Sequence, residues 1–176
     1  MPRLIKGRAL VEDRWTLRRE VASLADVAEG VPVIVPLAFW LEHRDGLRLR
    51  GEVGVWLAPT DDPAALAPDL DGLPVIAVDF PKFTDGRGYS IARFLRDRHG
   101  FTGELRAVGD VLRDQLFALA ECGFDAFALR DDHDAAAALS GFSDFAGVYT
   151  STTHTPQPWF RRRNSSTPSD SVPGTE

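Results

Sequence analysis

From Gly54 onward the apolar positions gather into short runs about 20–30 residues apart, each followed by a turn signal and then by apolar residues at helical spacing. Residues 54–58, 74–78, 105–108, 125–129 and 147–150 read as strands, and 62–67, 89–98, 111–122 and 134–139 as helices. Strands alternating with helices imply right-handed crossovers and a mainly parallel sheet, so the pattern predicts an α/β fold with flanking helices. In the helix over 111–122, Leu112, Leu116, Leu119 and Ala120 form one apolar stripe, with Asp110 as N-cap and Gly123 as the stop. In 89–98, Ile91, Ala92, Phe94 and Leu95 face inward, Ser90 is the expected N-cap, and Arg93, Arg96, Asp97 and Arg98 lie on the wetter side. The spacing suits an open three-layer sheet or a partial (β/α) barrel. Five strands are too few to close an eight-stranded barrel, which favours the open sheet.

Residues 1–50 are less regular and read as a capping segment, with short strands at 11–15 and 31–37 and a polar helix or loop between them. Pro32 and Pro36, which flank Val33 to Val35 within the second of these, suggest an edge position. Trp15, Phe39 and Trp40 are expected to close the core. Residues 1–153 are thus read as a single α/β domain, 51–153 being its regular part, and the Ser, Thr and Pro-rich residues 154–176 as a disordered tail.

Charge narrows the partners. A formal net charge of -6 argues against general affinity for nucleic acid or anionic lipid, so any bound anion must be met by a local cationic cluster. No apolar stretch reaches the roughly 20 residues of a membrane span, and the first residues lack a secretory pattern, so a cytoplasmic location is expected. His43, His99, His133 and His154 are scattered without metal-binding spacing, and no metal site is expected. The single cysteine, Cys122, sits before the helix stop at Gly123 and reads as structural.

In a parallel sheet, ligands collect beyond the carboxyl ends of the strands. The apolar run at 75–78 discharges into Asp79, Lys82, Thr84, Asp85 and the Gly86-Arg87-Gly88 turn; Asp110 and Arg113 follow the next strand, and Arg130, Asp131, Asp132 and His133 the one after. Lys82, Asp85, Arg87, Arg106 and Arg113 are the candidate ligand-binding residues for a small oxyanion, and Asp79 or Asp110 the candidate base. An internal ion-pair network fits the same residues. Arg106 shares a strand face with Glu104, and if buried it requires Glu104, Asp79 or Asp110 as a partner, or a ligand. Phosphate-loop, dinucleotide, nucleophile-elbow and CxxC motifs are absent, which leaves any cofactor unknown.

The segments 79–96, 103–115 and 122–127 together resemble an uncharacterised bacterial family, family 934, known only as a domain of unknown function. The resemblance spans roughly residues 15–149. Genes of that family commonly neighbour those for assimilatory sulfite or nitrite reductase, and members are often labelled oxidoreductases of sulfite reduction. The resemblance therefore implies an accessory protein of sulfite reduction, in sulfur assimilation and cysteine biosynthesis, that binds a small oxyanion or sulfite reductase. The alternatives are an oxidoreductase with an unrecognised cofactor and a structural subunit without catalysis. By position the family motif points at Asp79, Lys82, Asp85, Arg87, Arg106, Asp110, Arg113 and Asp114.

Overall fold

The computed structural model describes residues 3–130 and 134–143. The expected strand at 147–150, the residues Asp131, Asp132 and His133 and the tail at 154–176 lie outside the described residues. In chain order the elements are β1 (Arg3–Lys6), β2 (Ala9–Glu12), β3 (Thr16–Leu17), β4 (Val33–Pro36), α1 (Leu37–Leu49), β5 (Val53–Leu57), β6 (Val75–Phe80), α2 (Arg87–Arg93), β7 (Glu104–Gly109), α3 (Leu116–Glu121), β8 (Ala126–Phe127) and α4 (Ala135–Ala138). A π-helical stretch, Phe94–Arg98, continues α2.

The strands form one eight-stranded sheet in the order β2-β1-β8-β7-β6-β5-β4-β3. β3 to β8 are parallel and stand in sequence order, while β1 joins β8 antiparallel and closes a hairpin with β2. That order corrects the preference for three layers. When every right-handed crossover steps in the same direction, every helix lands on the same face of the sheet. The sheet curls into a half-barrel, the alternative arrangement.

The core confirms the one-sided packing. Val35, Val55, Leu57, Ile76, Val78, Phe80, Leu105 and Phe127 alternate toward the helix face, where they pack with Phe39, Trp40, Leu95 and Leu116. The opposite, concave face carries a smaller cluster of Trp15, Ile34, Val75, Ala77 and Val108, with Trp56 and Ala128 beside it. Among the described residues no helix supplies a residue to this second cluster.

Strands expected at 54–58, 74–78 and 105–108 match β5, β6 and β7 closely. The strand at 125–129 shortens to the two residues of β8, and 62–67 contracts to a 3-10 turn, Pro63–Leu66. The N-terminal segment holds more than a cap: β1 and α1 were not anticipated. β4 is not an edge strand, because its prolines fall at its margins and their missing N–H groups do not interrupt the ladder; β3 pairs outside it. Among the described residues no helix is long and apolar enough to cross a membrane.

Candidate functional site

The β6–α2 loop is built from both ends. Asp85 accepts the Arg87 backbone N–H at 3.1 Å and clasps its guanidinium through Nε at 3.0 Å and Nη2 at 2.6 Å. This turn starts α2 at Arg87, three residues before the expected cap at Ser90; no side chain of Gly86 is needed, because Asp85 has satisfied the orphan N–H. The Arg87 guanidinium holds the Asp85 carboxyl at a pKa of about 2, below the ordinary 3.8. Gly88 lies under the Phe80 ring, where an added Cβ would come within 2.4 Å of Cζ.

Between β6 and that turn, Phe83 is pinned through its backbone. Its N–H donates to Asp110 Oδ2 at 2.9 Å and its carbonyl accepts from Gln115 Nε2 at 2.9 Å. Asp110 can reach it because Gly109, at φ 99°, turns the chain sharply at the end of β7 and lets Asp110 N–H donate to Phe80 O at 2.7 Å. The other Asp110 oxygen pairs with Arg130 Nη1 at 2.9 Å. Asp110 therefore does not cap the following helix: residues up to Leu112 stay extended, and Gln115 Oε1 accepts the Leu112 N–H instead. Tied at both backbone groups, Phe83 is still 53 % exposed. Beside it the Lys82 ammonium has no ionic partner among the described residues.

Lys82, Asp85 and Arg87 line one open cavity of about 460 Å³ with Pro81, Thr84 and Gly86. Arg113 is not among its lining residues and directs Nε to Ser140 Oγ at 3.1 Å. Asp110 meets the loop through Phe83 rather than through the cavity. Of the expected ligand-binding set, three residues converge here.

Asp79 and Arg106 belong to the concave face. The strand register sets Pro36, Trp56, Ala77, Arg106 and Ala126 in one row across it, with Lys6 at the end. The Arg106 side chain is 3 % exposed and is held by Glu104 (Nε to Oε1, 2.8 Å) and by Asp13 (Nη1 to Oδ2, 2.7 Å); Lys6 Nζ takes the second Glu104 oxygen at 2.8 Å. A buried guanidinium needs such partners. Glu104 was among those expected; Asp13 was not. Asp79 lies two residues beyond Ala77 and forms an ion pair with Arg19 Nη2 at 2.8 Å, with angles outside hydrogen-bond geometry. Arg19 also stacks over the Trp56 ring, 5.4 Å from its centroid.

Arg19, Asp13 and Gln115 were missed by reading strand ends alone. Arg19 and Asp13 come from the N-terminal segment; the need of a buried Arg106 for partners was the cue to Asp13, and Arg19 had none. One expected wet-face arginine is also structural: Arg96 donates to Gly123 O, Phe101 O and Gly103 O and pairs with Asp125 at 3.1 Å.

These features define a half-barrel α/β protein with a cationic, aromatic loop at the carboxyl rim of its central strand and an ion-paired concave face. The family profile described as bacterial protein of unknown function (DUF934) matches residues 54–160, and the chain belongs to that family. The match takes in β5 to β8 and the whole β6–α2 loop. No curated protein matches the chain.

Proposed function

We propose that the protein is an accessory factor of assimilatory sulfite reduction that docks on sulfite reductase through the β6–α2 rim. The pathway is what the resemblance of the 79–96 and 103–115 segments implies. The observation that carries the docking reading is Phe83: its backbone is held on both sides while the residue stays half in solvent beside Lys82, which has no ionic partner among the described residues. A fixed aromatic next to a cation is the composition of an interface anchor. Because the loop is already ordered, binding costs little conformational entropy.

A second reading draws on the cavity formed by Lys82, Thr84 and Arg87, whose cationic and hydroxyl donors suit a small oxyanion such as sulfite. Calorimetric titration of purified reductase against the protein, with sulfite alone as a separate arm, tests both. The docking reading expects a complex that Phe83→Asp weakens by about tenfold or more, the loss of one anchor at an interface. A complex indifferent to Phe83→Asp and Lys82→Glu contradicts it. Sulfite heat that is identical for wild type and Arg87→Ala removes the oxyanion reading.

A further inference from the structure

The carboxyl ends of β7 and β8 open onto a second cavity, on the concave face rather than the rim loop. It measures about 360 Å³, inside the roughly 300–1,000 Å³ range of small-ligand sites. Leu17, Ile34, Val108, Ala128 and Leu129 give it an apolar wall, and Arg19, Arg106, Arg130 and Asp13 supply its charge. Three guanidinium groups reach it, each already paired with a carboxylate: Arg106 with Glu104 and Asp13, Arg19 with Asp79 and Arg130 with Asp110.

The three arginines differ in what they have left to offer. Arg106 is buried and its charge is already met by Glu104 and Asp13. Arg130 is held by Asp110. Arg19 is 49 % exposed and engages Asp79 through Nη2, with its Cζ over the Trp56 ring. Its Nε and Nη1 have no acceptor among the described residues, so it can meet an anion without releasing the buried Asp79. A guanidinium held over an aromatic ring and by one ion pair presents its remaining donors in a fixed orientation.

We propose that this mouth binds a small organic anion, with a carboxylate-like head on Arg19 and a short apolar body against Leu17, Val108 and Ala128. An inorganic oxyanion matches the site less well, because the apolar wall returns nothing for the hydration it would lose. The assignment stands apart from the rim loop and from the docking proposed there.

Titration of the full chain with benzoate, and separately with inorganic sulfate, tests it by calorimetry. Benzoate is expected to bind one to one, at least about tenfold more tightly than sulfate, and to lose about tenfold or more in affinity in Arg19→Leu. Ala128→Phe, which fills the cavity, is expected to abolish the heat; should that variant not fold, Arg19→Leu with the change in Trp56 fluorescence, absent in Trp56→Phe, decides. No benzoate heat in the wild type, equal affinity in Arg19→Leu, or sulfate binding as tightly as benzoate overturns the proposal.

Discussion

Asp85 and Arg87 set the shape of the rim loop, and their bond is titratable. The folded pKa of Asp85, about 2, lies below the ordinary 3.8. A depressed acid contributes stability that is fully present above its unfolded pKa and is lost as pH falls through the folded one. The clasp is therefore expected to open between about pH 4 and pH 2, and the Asp85 carboxyl-carbon shift in an NMR titration should report an apparent pKa near 2 that moves back toward 3.8 in Arg87→Ala. An unshifted Asp85 in the wild type would show that the bond does not persist in solution. Gly109 is the other decisive single residue. Alanine there must adopt φ 99° and place a Cβ 2.5 Å from Phe80 O, so Gly109→Ala is expected to lose roughly 1–3 kcal/mol in urea unfolding.

At the scale of elements, two side chains join pieces distant in sequence. Gln115 ties the segment after β7 to the Phe83 carbonyl and also caps its own turn through the Leu112 N–H. Gln115→Ala is expected to cost about 1–3 kcal/mol and to speed amide exchange in residues 82–86, with no change in β6. Asp69, buried beneath α1, accepts from Trp40 Nε1 at 3.0 Å and pairs with Arg44 and Arg48. Its removal leaves the buried Trp40 indole N–H without this acceptor, whereas Arg44 and Arg48 still reach solvent, so Asp69→Ala is expected to cost about 1–3 kcal/mol in thermal or urea unfolding. β5 and β6 were legible in the sequence because central parallel strands read as near-continuous apolar runs, and β7 through its shorter run around Leu105, Ala107 and Val108. α1 was not, since its polar Glu42, Arg44, Asp45 and Arg48 break up the apolar signal and Pro36 precedes it. The short ends, β3 and β8, carry too few residues for any period to show.

For the whole molecule, strand order decided what spacing could not. An alternation of strands and helices is the same in a three-layer sheet and in a half-barrel; only the consistent direction of the crossovers separates them, and no residue encodes that direction by itself. The candidate site was legible in part for the same reason. Lys82, Asp85 and Arg87 follow one strand and stay together, whereas Arg113 turns to Ser140, and Asp79 and Arg106 point to the other face by the two-residue alternation of strands. The partners Asp13 and Arg19 arrive from more than 50 residues away, beyond the reach of local pattern.

The proposed role is tested most directly in a strain lacking the gene and supplied in turn with sulfate, sulfite and cysteine. The account predicts growth on cysteine alone, restored on sulfate and sulfite by the wild-type gene but not by one carrying Lys82→Glu and Phe83→Asp at matched protein level. Growth of the deletion strain on sulfite, or full rescue by the doubly substituted gene, would contradict it.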